Sequence, residues 1–260
     1  MSLITGRIFA TVSLLVVGAL LYYMITASRK GTISVKLRRM PGLDAIEEAV
    51  GRATEMGRPV HFSPGIAGIS DETAPQTYAA LECLTYVAGL CAKYNADLIV
   101  TVRQPQVFPL TQETVRQAYL SAGKVDMYHE DTCRFLSSDQ FAYAAGAQGI
   151  MHREKVAANI MLGGFWAESL FMAEAGSAIG AIQIAGTANM HQIPFFVAAC
   201  DYSLIGEELY AGGAYLSQDK NKLGSIAGQD YVKFAAIALV VVGALLRTAG
   251  NTFLFDLLAK

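Results

Sequence analysis

The sequence has no C-x-x-C pair, no G-x-x-x-x-G-K-[ST] loop, no G-x-S-x-G elbow and no clear G-x-G-x-x-G opening a helix after its first strand. Each absence removes a class of chemistry. Cys83, Cys91, Cys133 and Cys200 are the four cysteines, and no histidine stands near them at zinc-finger spacing. They read as small buried apolar residues of a reducing compartment, not as a metal set. Without the Gly-rich loops a nucleotide site has no signature, and without the elbow the usual hydrolase nucleophile has none. Charge is also scarce: 16% of residues are charged and the net charge is −2, which excludes the broad basic footprint of a nucleic-acid binder. No internal repeat and no low-complexity stretch is present, so solenoids and disordered tails are excluded as well.

What the chain has instead is apolar surface, at 53% of residues. Ile8 to Ser28 is free of charge and ends near Tyr22 and Tyr23. A helix needs ~20 such residues to cross ~30 Å of hydrocarbon, and aromatic rings favour its interface. The run is longer than the ~7–15 residues of a signal-peptide core, and only Arg7 precedes it, so the expectation is an uncleaved anchor. Arg29, Lys30, Lys36, Arg38 and Arg39 follow before the first acid, Asp44. Cationic flanks stay cytoplasmic, which predicts a cytoplasmic domain and an outside N-terminus. The same stretch lies within reach of anionic headgroups, although topology alone accounts for it.

Near the other end, Phe234 to Leu246 is uncharged between Lys233 and Arg247, and extension to Leu254 lengthens it. A second span, an interfacial helix and a core helix all fit this run; the second span is preferred, with its lysine and arginine snorkelling to the interface. The expected organisation is an anchor over 1–28, a basic juxtamembrane linker over 29–40, an α/β domain over 41–225, and a second span with a short tail over 226–260.

Between the apolar ends, segment types alternate. Leu43, Ile46, Val50, Ala53 and Met56 share a helical face, with Asp44, Glu47 and Glu48 in the favourable first turn, and Gly57 ends it. Pro59 to Phe62 reads as a strand, Pro75 to Tyr94 as a helix, and Leu98 to Val102 as a strand buried on both faces. Thr111 is a candidate cap for a helix through Leu120, Val125 to Tyr128 a short strand, and Ser137 with Gln140 a capping box. Ala157 to Met161, Ile179 to Ile184 and Phe195 to Ala199 read as strands, with helices near Phe165 to Ala175 and Leu204 to Tyr215. Strands separated by helix-length segments imply a parallel sheet, so the fold expectation is α/β, a Rossmann-like three-layer domain with a mainly parallel sheet.

The stretch Met40-Pro41-Gly42-Leu43-Asp44-Ala45-Ile46-Glu47-Glu48-Ala49, continued by Glu55 to Gly65 and by Ala96-Asp97-Leu98-Ile99-Val100, resembles a prokaryotic membrane-protein family of uncharacterised function. The resemblance implies the architecture. It brings no activity and no assigned catalytic residues.

Ligands of open parallel sheets bind at the carboxyl ends of the strands. The predicted strand ends give His61 and Ser63, Arg103, Gly163 and Gly164, Thr187 and Asn189, and Asp201 as ligand-binding candidates. Turn chemistry alone also places small and polar residues there. His129, Glu130, Asp131 and Cys133 are dense but adjacent, which suits a solvated loop better than one metal, and no catalytic residue or cofactor is assigned. The helix near Phe165 to Ala175 carries only Glu168 and Glu174 among Phe165, Trp166, Leu170, Phe171 and Met172. A covering helix with so little polar face predicts a contact beyond the domain. The functional expectation is a membrane-tethered scaffold or partner-binding module that forms a homo-oligomer, its partners the lipid bilayer and an unidentified protein. The alternative is a small-molecule-binding or enzymatic Rossmann-like domain, which requires His61, Arg103 and Asp201 to converge in a pocket.

Overall fold

The computed structural model describes residues 8–258; Arg7 and the other residues before Ile8, with the last two, lie outside the described residues. The chain divides into an α/β unit, Arg39–Ser217, and a helical unit built from the segments on either side of it.

The α/β unit opens with α2 (Pro41–Met56), after a first helix, α1 (Ile8–Arg29), that belongs to the helical unit. Proline in the first turn of α2 gives up no intrahelical bond, and Gly57 closes the helix in the left-handed region at φ 58°. Leu43, Ile46, Ala49, Val50 and Ala53 are buried along one side. Burial of each large aliphatic here contributes ~1.5–3 kcal/mol before entropy is counted. The chain continues through β1 (Val60–Gly65), α3 (Ala74–Tyr94), β2 (Leu98–Val102), α4 (Phe108–Ser121), β3 (Cys133–Phe135), α5 (Gln140–Glu154), β4 (Ala158–Gly164), α6 (Glu168–Ala178), β5 (Ile182–Thr187), α7 (Ile193–Ala199), β6 (Tyr202–Ile205) and α8 (Glu208–Ser217).

The six strands are all parallel, in the order β3-β2-β1-β4-β5-β6. This is a doubly wound sheet whose direction of winding reverses between β1 and β4. Helices α2, α3, α4 and α8 pack together on one face, and α5, α6 and α7 on the other. The sheet is thus covered on both sides, which explains why β1, β2 and β4 are buried along their whole length. Met161, Ala185, Phe165, Met172 and Phe196 form the core beneath α5 to α7.

Several local expectations differ from the structure. Phe195 to Ala199 is not a strand but most of α7: Pro194 stands in its first turn, where proline starts helices. The last strand is instead β6, whose Leu204 and Ile205 fall in the stretch expected to be helical. The Ile179 to Ile184 strand begins only at Ile182, because Ile179 and Gly180 (φ 68°) terminate α6. Val125 to Tyr128 forms a 3-10 turn, and β3 lies further on. Thr111 is inside α4, where its hydroxyl donates to Val107 O, and Asp139 rather than Ser137 caps α5 by accepting from Phe141 and Ala142 N–H.

In the helical unit, α1 packs along α9 (Lys220–Thr248), and α10 (Phe253–Leu258) follows a turn at Gly250. Both α1 and α9 are long and apolar enough to cross a membrane. The α9 helix starts fourteen residues before the expected Phe234, because Asp219 caps it by accepting from Asn221 and Lys222 N–H. Its first half carries a small-residue motif, Gly224-Ser225-Ile226-Ala227-Gly228. A Cβ on Gly224 would lie 2.8 Å from Ser28 Cβ and 2.9 Å from Ile25 Cα, and one on Gly228 2.8 Å from Leu21 Cδ2. The two glycines therefore set how closely the helices approach, as in membrane helix pairs. Ser28 Oγ donates to Lys220 O at 2.7 Å and ties the open end. Phe234, Ile237, Val240, Val241, Val242 and Leu245 remain exposed, so this part of α9 is no core helix.

Candidate functional site

Single polar residues interrupt the apolar strands, and the sheet register brings them together. His61 pairs in register with Asn159, and Asn159 with Gln183, which places all three in one row on the α5 side of the sheet. Thr101 and Ser63 lie one pleat further along the same face. Tyr143, from α5, comes down onto them.

Their hydrogen bonds form one continuous chain. Gln183 Nε2 donates to Ala199 O (3.0 Å), and Asn159 Nδ2 donates to Gln183 Oε1 (3.0 Å). Asn159 Oδ1 meets His61 Nδ1 at 2.8 Å, His61 Nε2 meets Thr101 Oγ1 at 2.9 Å, and Tyr143 OH meets Thr101 Oγ1 at 3.1 Å and Ser63 Oγ at 2.7 Å. Its polarity follows from the Ala199 carbonyl, which only accepts. Gln183 must present its NH2 there, so its oxygen faces Asn159, whose own oxygen faces His61. The proton of His61 is then on Nδ1, and Thr101 donates to Nε2. Tyr143 donates toward Thr101, whose carbonyl it also reaches at 3.2 Å, and Ser63 donates to Tyr143. Every donor points the same way, from Ser63 to Ala199.

All six side chains are buried. Burial pulls the His61 imidazole down to about 4 from its ordinary 6.5, partly opposed by the Asn159 bond, so it is neutral at physiological pH. Burial also raises Tyr143 to about 12, which keeps the phenol a donor. With its members neutral and paired, the chain fixes the register of β1, β2, β4 and β5.

The structure distributes the sequence candidates rather than gathering them. His61 and Ser63 belong to this internal chain. Arg103 sits at the carboxyl edge and donates to Ser138 O (2.9 Å) and Ile66 O (3.2 Å), clamping two loops. Thr187 donates to Gln76 Oε1 (3.2 Å), and Asn189 to Phe165 O (3.0 Å). Gly163 and Gly164 stand where two backbones meet. A Cβ on Gly163, at φ 142°, would lie 2.0 Å from Pro64 O, and one on Gly164 2.6 Å from Ala67 Cβ. These glycines hold β1 and β4 together where doubly wound sheets usually open a crevice. Asp201 stands at the opposite, amino edge, because it precedes β6 instead of following a strand. It accepts from Gln183 N–H at 2.8 Å. His61, Arg103 and Asp201 therefore do not converge.

A family model described as a domain of unknown function, DUF6754, matches residues 2–258. The chain belongs to the DUF6754 family. No curated protein and no solved structure matches it.

In this DUF6754 chain burial pushes the Cys133 and Cys200 thiols up to about 12, and Cys91 further, so none is an activated nucleophile. Among the described residues no three His, Cys, Asp or Glu side chains cluster to hold a metal. A groove of about 620 Å³ opens at the amino edge, bordered by Glu48, Arg52, Ser177, Gln183, Asp201 and Tyr202. Sequence reading missed Thr101, Tyr143, Asn159, Gln183 and the fully buried Glu168, whose carboxylate accepts from Trp166 N–H (2.9 Å) and Gln140 Nε2 (2.6 Å). For the strand residues a signal existed: Thr101, Asn159 and Gln183 each interrupt an apolar strand, as His61 and Ser63 do in β1.

Proposed function

We propose that this DUF6754 chain is a membrane-anchored scaffold. Helices α1 and α9 cross the bilayer as an antiparallel hairpin, hold the α/β domain in the cytoplasm and leave both chain ends outside. The cations Arg29, Lys30, Lys36, Arg38 and Arg39 support that direction. The exposed apolar side chains of α9 support the crossing itself, since they would otherwise face water.

The observation that carries the scaffold reading is an aromatic pair on the outer surface of α5 and α6. Phe141 and Phe171 are 57% and 44% exposed, and their rings meet edge to face at 6.1 Å, with Leu170 also exposed. Aromatic anchors of this kind form the centre of protein interfaces. The proposed contact is with a second copy, whose concentration the shared membrane raises. A Phe171→Cys chain treated with a thiol cross-linker in native membranes tests this. Cross-linked dimers are expected from that variant and not from the wild type; none from either would refute the contact.

A ligand-binding reading is supported by one observation, the polar groove at the amino edge. Arg52 and Glu48 line it with Asp201, and a small zwitterion or cation is the class it would take.

A further inference from the structure

The level of the bilayer surface can be read from the helical unit. Ser28 faces Lys220 and Gly224, while Leu21 and Met24 face Gly228, so α1 and α9 run antiparallel in one fixed register. Within this stretch Met24, Ala27 and Ser28 of α1, and Leu223, Gly224 and Gly228 of α9, are buried by protein. One turn further along both helices that cover ends. Tyr22, Tyr23 and Tyr231 are exposed there, followed on α9 by Lys233 and then the uncharged run from Phe234 to Leu246. Aromatic rings and a snorkelling lysine mark a membrane interface, which places the surface at the level of Tyr22 and Tyr231. From Tyr231 to the end of α9 is ~26 Å at 1.5 Å per residue, close to a hydrocarbon thickness of ~30 Å, and the described part of α1 from Tyr22 back to Ile8 covers ~21 Å of it. The protein-covered turns beyond it form a short stalk outside the bilayer.

Residues 33–37 return along this stalk. Ile33, Val35 and Leu37 are half-buried and alternate with exposed Ser34 and Lys36, the pattern of an extended segment with one apolar side. Together with Met24, Ala227, Tyr231 and Phe234 they enclose a groove of about 310 Å³ at the level just assigned to the surface. Its walls are mostly apolar, with Ser34 among them, and exposed Lys36 lines it as well. Asp230 also lines it but is paired with Lys233 at 3.5 Å. Arg29 and Lys30 are exposed at the end of α1, and residues 29–38 contain no acid.

We infer that this groove holds an anionic phospholipid of the surrounding leaflet, its headgroup at Lys36 and its chains along Phe234. The inference rests on α1 and α9 spanning the membrane. A lipid fits both sides of the groove's chemistry: apolar walls suit the glycerol and upper chain carbons, and the Lys36 ammonium suits the phosphate, with Asp230 engaged by Lys233. Free phosphate would meet only the ammonium.

The test is native mass spectrometry of the full chain in detergent, offered phosphatidylglycerol or phosphatidylcholine, with Lys36→Gln and, as a control in the α/β domain, Lys93→Gln. Phosphatidylglycerol is expected to stay bound in preference to phosphatidylcholine. Lys36→Gln should weaken retention about fivefold, the worth of one cation near a lipid surface, whereas Lys93→Gln should not. Circular dichroism checks the fold, and the exposed position of Lys36 makes unfolding an unlooked-for result. Equal retention of both lipids, or an unchanged Lys36→Gln, would overturn the inference. Displacement of the lipid by millimolar inorganic phosphate would overturn the lipid as occupant. Alkaline carbonate extraction of native membranes separates the two levels. Release of the chain would remove the spanning reading itself, and retention combined with no lipid preference would remove this inference alone.

Discussion

Replacing His61 by leucine cuts the buried hydrogen-bond chain at its middle. Asn159 Oδ1 loses its donor and Thr101 Oγ1 its acceptor, at 2.8 and 2.9 Å respectively, where neither reaches water. An orphaned buried polar group costs about 1–3 kcal/mol, and leucine recovers part of that through its apolar burial, so a net loss of about 2–4 kcal/mol is expected. The Asn159–Gln183 and Ser63–Tyr143 halves keep their own bonds, which limits the damage. Urea unfolding of the full chain in detergent measures it, with Trp166, the single tryptophan, reporting on the α/β domain. At a denaturant slope of ~2 kcal/mol per molar, the midpoint should fall by about 1–2 M. Acid supplies a second signature. Folded His61 titrates at about 4 and the unfolded imidazole near 6.5, so between those values the unfolded chain holds the extra proton. The stability this group contributes is complete above pH 6.5 and is lost as pH falls from there through 4, in all ~3 kcal/mol. The leucine variant has nothing to titrate, so its deficit relative to wild type should narrow across that window. A penalty below ~0.5 kcal/mol at neutral pH, or a gap that does not change with pH, would refute the reasoning.

Gly163→Ala should fail to fold or lose more than ~3 kcal/mol in the same urea assay, since the new methyl meets the Pro64 carbonyl and neither backbone can move freely. Gly224→Leu should separate α1 from α9, since a Cβ there already lies 2.8 Å from Ser28 Cβ and 2.9 Å from Ile25 Cα, and should lower the melting temperature of the detergent-solubilised chain followed by circular dichroism, whereas an unchanged melting temperature would refute the close approach. Tags at both chain ends should be reachable from outside intact cells, while a cysteine at Ser217 should resist an impermeant thiol reagent; the opposite pattern would reverse the topology.

Where the sequence spoke clearly, one element type had no competitor. Leu98 to Val102 is a compact β-branched run and forms β2 with those bounds, and the 3.6-residue spacing of Leu43, Ile46, Val50 and Ala53 marks α2 directly. Where it misled, two periods fitted the same residues. Phe195-Phe196-Val197 satisfies a strand by composition, yet Pro194 starts a short helix, and its five successors are too few to show a period. That single exchange hid β6 and moved Asp201 from one edge of the sheet to the other. The site suffered most from this, because strand ends identify a cleft only when every strand is placed. His61 and Ser63 stand out in the sequence at the end of a short strand, where they read as lining a cleft, whereas β1 runs on to Gly65 and buries both. Their partners Asn159, Thr101 and Tyr143 became partners only through registers that no local pattern encodes. The Gly224 and Gly228 pair lies among the charges of Lys220, Lys222 and Asp230, outside the uncharged run that marks a span, so hydropathy alone does not join it to the helix.

The scaffold account stands or falls on the mass of the assembly. Light scattering of the detergent-solubilised full chain, corrected for bound detergent, should give a multiple of 27.8 kDa at micromolar concentration, and Phe171→Glu, at a position already 44% exposed, should reduce it to one chain without changing the circular dichroism. A folded wild-type chain of 27.8 kDa throughout that range would contradict self-association and move the ligand-binding reading ahead of it.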